Sequence, residues 1–176
     1  SSAGTNTDNS EWIVYDQNTW DYLGFHDQGC NSTFGCTDET AFNYDPCAEV
    51  DDGTCIYQEE ATIFNIQGQS DSSPYAGFPV STNGIVTGVN YAGFYLQDIM
   101  GGEWSGIWVY AQGVDGFDQV QVGDDVTVTG VVEEFYDLTE IEANGISILS
   151  SGNSLPDPLL ISTGDLGEAH EGVLVK

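Results

Sequence analysis

Positive charge is almost absent from this chain. Its 176 residues include 29 aspartates and glutamates, one lysine (Lys176) and no arginine, for a formal charge of −28. Nucleic-acid binding normally rests on lysine and arginine neutralising phosphates, so no nucleic-acid partner is expected. An anionic membrane surface is disfavoured for the same reason. Intramolecular ion pairs cannot offset this self-repulsion, so cations must, as diffuse salt or as bound Ca²⁺. Histidine is also scarce, with only His26 and His170. No Ser/His/Asp order, HExxH motif or glycine-rich phosphate loop is present, and no catalytic role is expected. Paired carboxylates carry no information where 29 acids will place some pairs close by chance. No apolar run is long enough to span a bilayer, and no signal peptide is visible. The opening Ser-Ser-Ala-Gly-Thr reads as the start of a mature or excised piece.

Cysteine is missing everywhere except in one stretch. Cys30, Cys36, Cys47 and Cys55 are separated by 5, 10 and 7 residues. An even, clustered set among Gly, Asn and Asp reads as disulfides in an oxidising compartment. Zinc is the alternative, and these spacings lack the paired CxxC pattern it favours. A glycosylation sequon, Asn31-Ser32-Thr33, lies beside the cysteines. Residues 35–55 also carry Asp38, Asn43, Asp45, Asp51 and Asp52, with no room for a long helix or strand. Ca²⁺ takes six to eight hard oxygens from such side chains, and a cation would relieve their mutual repulsion. The plainer reading is that they are solvated turn formers. A second cation is conceivable at the later acids Asp98, Glu103, Asp124, Asp125 or Glu140.

The chain falls into four parts. Residues 1–29 hold two short strand candidates, 11–16 and 18–27, apolar on both faces and in need of a sheet. Residues 30–57 form the cysteine module, 58–153 a run of strands, and 154–176 a linker, a helical turn or two and a last strand. Within the third part, alternation predicts strands over 80–89, 93–98, 106–112, 124–135 and 138–149. Gly84 and Gly88 mark the first as curved or bulged. Five strands, a long first one and no sizeable helix predict a mainly β fold, a small OB-like antiparallel barrel. A sandwich is the runner-up.

Two resemblances extend this. Gly35-Cys36-Thr37-Asp38, Ala41, Asn43-Tyr44, Pro46, Ala48 and Asp51-Asp52-Gly53-Thr54-Cys55 resemble a short Asp/Asn-rich repeat of secreted Bacteroidota proteins, akin to thrombospondin type 3 repeats. The resemblance implies Ca²⁺ as cofactor. It also implies the pairings Cys36–Cys55 and Cys30–Cys47, because Cys47 stands where that repeat has another residue. Residues 61–176 resemble OB-like modules that accompany secreted bacterial nucleases and surface proteins. The shared landmarks are Gly93-Phe94-Tyr95-Leu96-Gln97-Asp98, Gly106-Ile107-Trp108-Val109-Tyr110, Val122-Gly123-Asp124 and Leu138-Thr139-Glu140-Ile141. In such modules a segment like 171–175 runs on into a second unit, of which residues 11–16 resemble a strand.

The functional expectation is an extracellular, calcium- and disulfide-stabilised structural or adhesive module at the cell surface. Its expected partners are copies of itself, joined head-to-tail by strand addition or in tandem. The competing expectation is an accessory glycan- or nucleic-acid-binding domain of a secreted nuclease or polysaccharide-degrading enzyme. Stacking residues for that role would come from Phe94, Tyr95, Trp104, Trp108, Tyr110, Phe135 and Tyr136. Trp104, in a glycine-flanked loop, is expected to be the exposed one.

Overall fold

The structure is a computed structural model that describes residues 33–176. The expected strands over 11–27, the sequon residue Asn31 and the Cys30 end of a Cys30–Cys47 bridge lie outside the described residues.

Nine regular elements follow in order. The cysteine module contributes β1 (Phe34–Gly35) and β2 (Val50–Asp51), which pair in parallel. Then come β3 (Glu59–Glu60), α1 (Ile63–Gln67), β4 (Pro79–Val89), β5 (Gly93–Gln97), β6 (Gly106–Tyr110), β7 (Asp125–Phe135) and β8 (Leu138–Ser150). Short 3₁₀ turns occupy Phe117–Gln119, Thr163–Asp165 and Glu168–His170.

The large sheet runs β3-β4-β5-β6-β8-β7, and β4 also pairs with β7. One long strand therefore serves two neighbours. Its first half pairs antiparallel with β7 from Pro79 to Ile85, and its second half pairs with β5 from Ile85 to Val89. That sharing bends the sheet round on itself. Gly84 sits at the bend, where a Cβ would lie 2.7 Å from the Gln97 carbonyl oxygen. A register shift between Val86 and Gly88 adds the bulge. The pairing of β6 with β8 is parallel and the rest of the barrel is antiparallel. This connectivity, five strands closed by the first pairing with the fourth, is that of an OB-like barrel.

Alternation drives the closure. Val126, Val128 and Val132 of β7, Phe94 and Leu96 of β5, Ile107 and Val109 of β6 and Ile141 of β8 all point inward and are fully buried. Each such side chain contributes roughly 1.5–3 kcal/mol of hydrophobic stabilisation. Ile63 and Ile66 of α1 join that core. The helix is set by its ends: Thr62 accepts from the Asn65 N–H at 3.2 Å, and Gly68 stops the helix in the left-handed conformation.

The C-terminal part holds an isolated bridge where a last strand is expected. Residues 156–176 lie against the barrel as a strap. Val175 forms a single parallel bridge with Leu159 of the same chain. The Leu159 N–H donates to the Leu174 carbonyl and the Lys176 N–H to the Leu159 carbonyl. The Leu174 N–H donates to Gln97 Oε1 at 3.1 Å. The expected helical turns are the two 3₁₀ turns Thr163–Asp165 and Glu168–His170.

Candidate ligand-binding face

Residues pointing outward from β5, β6 and β8 form one continuous surface. Cross-strand register places Tyr95 beside Trp108, Trp108 beside Glu140 and Tyr110 beside Glu142. Glu133 of β7 stands opposite Glu140 on the other side. The Tyr95 and Trp108 rings meet edge to face, with centroids 4.7 Å apart. Tyr95 is 41% exposed while Trp108 is only 8% exposed. The tyrosine is thus the contact surface, and the indole fixes its tilt.

Tyr91 lies in the β4–β5 turn at 86% exposure and Tyr136 in the β7–β8 turn at 90%. Phe135 and Tyr136 also meet edge to face at 4.7 Å. Tyr136 and Asp137 both have positive φ, 52° and 65°, as a two-residue hairpin turn of the mirror-image type requires. In OB-folds these two turns and the face between them are where oligomers bind.

The face is acidic as well as aromatic. Glu140 is 92% buried, flanked by Glu133 and Glu142. Burial, with repulsion from both neighbours, pushes its carboxyl above the ordinary 4.5. Ring faces beside carboxylate acceptors suit a hydroxyl-rich ligand and repel a polyanion. The far end of the face is closed by the strap. Gln97 is fully buried there, donating to Ser105 Oγ at 2.9 Å and accepting from Leu174. Gly106 and Gly172 cross backbone to backbone, and a Cβ on Gly106 would lie 2.2 Å from the Gly172 carbonyl carbon.

The residues expected to stack divide four ways, with Phe135 and Tyr136 paired at the β7–β8 turn. Tyr95, Trp108 and Tyr110 share the face. Phe94 is a core residue with no exposed surface. Trp104 is half-buried rather than exposed, in a positive-φ conformation with its backbone N–H donated to the Ala169 carbonyl at 2.7 Å. The strap covers what the local sequence presents as an open loop.

Among the later acids, Asp98, Glu103 and Asp125 line one cleft of about 620 Å³ with Phe64, Asn83 and Met100. Burial pushes the Asp98 carboxyl up, opposed by a hydrogen bond from the Phe64 N–H. Asp124 is buried and accepts from the Gln121 N–H, so it shapes a turn. Glu140 lies apart from the cleft, on the aromatic face.

In the cysteine module each expected calcium ligand already has a partner. Asp38 Oδ1 accepts from the Thr40 N–H and hydroxyl, and Oδ2 from the Tyr57 hydroxyl at 2.9 Å. Asn43 bridges the Ile56 N–H and the Thr54 carbonyl. Asp45, Asp51 and Asp52 accept from the N–H groups of Cys47, Gly53 and Thr54. These bonds hold the Asp38 and Asp52 carboxyls below their ordinary range. They are Asx-type turns, which fix the loop without excluding an ion at the remaining oxygens. Cys36 and Cys55 are joined by a disulfide. Cys47 is disulfide-bonded as well.

No protein-family model matches the chain. A segment of 128 residues, 68% of the chain, is 33% identical to Endonuclease YhcR of Bacillus subtilis (strain 168). The matched part is 10% of that curated relative's length. Among solved structures, OBody AM1L10 bound to hen egg-white lysozyme is 24% identical, covers 44% of this chain and 84% of its own, and has a TM-score of 0.39. The hypothetical protein YgiW from E. coli is 17% identical, covering 53% of this chain and 97% of its own, also at 0.39. The chain is therefore an OB-like domain distantly related to a segment of endonuclease YhcR.

Proposed function

We propose that the chain is a non-catalytic accessory module of a larger secreted protein, and that its barrel binds a neutral oligosaccharide. One observation carries this reading: the Tyr95–Trp108 pair, flanked by Glu140 and Glu142, lies on the face that OB barrels use for oligomers. Three further points support it. The relative is about ten times longer than the matched part, as expected of a module in a multi-domain protein. The disulfides suit an oxidising, extracellular location. The one lysine and absent arginine leave a single side chain able to neutralise a phosphate, too few for nucleic acid.

In this reading the ring of Tyr95 stacks on a sugar face. Glu142 and the flanking backbone accept from its hydroxyls. The strap bounds the site at the Gln97 end, and the Tyr91 and Tyr136 turns bound it elsewhere. The cysteine module acts as a cross-linked spacer, with Ca²⁺ at Asp38, Asn43, Asp45, Asp51 and Asp52 setting its rigidity.

Titration calorimetry against neutral glycans, with single-stranded DNA in parallel, tests the assignment. A glycan bound by the native chain and weakened roughly tenfold by Tyr95→Ala supports it, a loss of the size found for aromatic stacking. Binding that is indifferent to Tyr95→Ala, or DNA binding without glycan binding, overturns it.

A further inference from the structure

The cleft beside α1 belongs to neither the aromatic face nor the cysteine module. Phe64 of α1, Asp98 and Met100 of the β5–β6 loop and Asp125 at the start of β7 line its main volume of about 620 Å³. A smaller hollow of about 310 Å³ continues it along β4, sharing Thr62, Asn83 and Asp98 and reaching Thr82. The main volume is the size of a small-ligand pocket and has room for one long side chain.

Both parts hold polar groups whose bonding is unmet. Thr82 lines the smaller hollow, is only 4% exposed, and its hydroxyl has no hydrogen-bond partner. Asp125 lines the larger part, and its Oδ1 is enclosed and equally without a partner. Oxygens left in this way are costly unless a bound group satisfies them. Asp98 stands where the two parts meet, desolvated by its surroundings and accepting from the Phe64 N–H. Among the described residues, none that lines either part is basic. The cleft thus presents acceptors and lacks a cationic donor.

The spread of the acceptors decides the shape of that donor. Among the described residues no three acids converge to seat a metal ion. A guanidinium makes a different demand. It is flat and delocalised, and its five N–H donors, set in a fixed fork, serve acceptors at separate points. The exposed ring of Phe64 offers it a face. Ile99 and Met100, both exposed in the same cleft, offer apolar cover for an aliphatic stem. We propose that this cleft takes the side chain of a peptide-borne arginine, its guanidinium held by Asp98 and Asp125 against Phe64, with the Thr82 hydroxyl satisfied at the inner end. The arginine comes from a different protein, because a second copy of this chain has none. The field of a chain with formal charge −28 draws cations in, and the cleft selects among them by shape.

Calorimetry of the full chain with N-acetyl-arginine methylamide tests this, beside free L-arginine and the matching citrulline and lysine analogues. One capped arginine should bind per chain and saturate, with the neutral citrulline analogue and the lysine analogue at least roughly tenfold weaker. D98N/D125N, which keeps side-chain shape, should weaken binding at least roughly tenfold. Should that variant fold poorly, two single changes stand in for it. T82V removes an unpartnered buried hydroxyl and F64L trims an exposed ring, and each should weaken binding about threefold. Amide shifts on titration should appear at Phe64, Asn83 and Asp98 and be absent at Tyr95 and Trp108. Tyr95→Ala should bind the capped arginine as the native chain does, so this site and the oligosaccharide face stand or fall separately. The proposal is overturned by a native chain that shows no saturable binding, by a citrulline or lysine analogue that binds as tightly, or by native affinity in D98N/D125N or in both T82V and F64L. A site that takes free L-arginine but not the capped form overturns the peptide source.

Discussion

The cysteine module and the barrel are two opposite solutions to ordering a chain. The barrel excludes water from a shared interior: Phe94, Leu96, Ile107, Val109, Val126, Val128 and Ile141 are all fully buried. Among the described residues of the module only Cys36 and Ala41 are buried, and its sheet is two residues per strand. Its order comes from local bonds between Asx side chains and nearby backbone N–H groups, and from the Cys36–Cys55 disulfide across 19 residues. Non-local packing makes the barrel one cooperative unit, whereas local bonds let the module loosen alone.

Four perturbations test this contrast, in order of decreasing effect. Phe94→Ala empties the centre of the barrel and should cost about 3–5 kcal/mol, read by chemical denaturation. The same variant should leave the disulfide-closed module protected, and equal loss of amide protection in both regions would show that they unfold together. Replacing Cys36 and Cys55 by serine should remove about 3 kcal/mol of loop-closure stabilisation. Hydrogen exchange should place that loss in residues 36–55, with the amides of Val126 and Val128 unchanged. Gly106→Ala forces a Cβ into the Gly172 backbone and should cost about 1–3 kcal/mol. Proteolysis is expected to cut residues 155–176 sooner, while the barrel core keeps its near-ultraviolet circular dichroism.

The smallest effect is electrostatic. Glu140 has a folded-state pKa raised above 4.5, so its contribution to stability is complete below that value and is lost as the pH rises through the folded pKa. Its neighbours are Glu133 and Glu142, with Trp108 alongside and no cationic side chain. Glu140→Gln should therefore raise the melting temperature at pH 7 relative to the native chain, with the difference vanishing near pH 4. A variant less stable than the native chain at pH 7 would contradict this sign.

Much of the barrel was legible in the sequence because its strands alternate and its turns are punctuated. The expected strands over 80–89, 93–98, 106–112, 124–135 and 138–149 match the observed β4 to β8 within two residues at every end. Helix α1 went unassigned. Five residues are too few for a helical period, although Thr62 and Gly68, its two end signals, were in plain view. The strap was not legible at all. Its position depends on Gly106 meeting Gly172, a contact between residues far apart that no local pattern encodes. The strap is also why Trp104 is half-buried where its local sequence predicts exposure. Tyr95 and Trp108 were among the residues named for stacking, but their pairing needed the register of β5 against β6.

The turn at Tyr136 sets stability against exposure of an aromatic ring. A bulky ring in the left-handed region is held at a position that asparagine or glycine would occupy with less strain, by about 1 kcal/mol or more. The ring is almost wholly in water and its ring contact is with Phe135, itself more than half exposed, so little burial offsets that cost. A fold optimised for durability alone would have discarded the tyrosine. Tyr136→Asn should yield a hardier protein, and whatever that protein does less well identifies the work the ring is kept for.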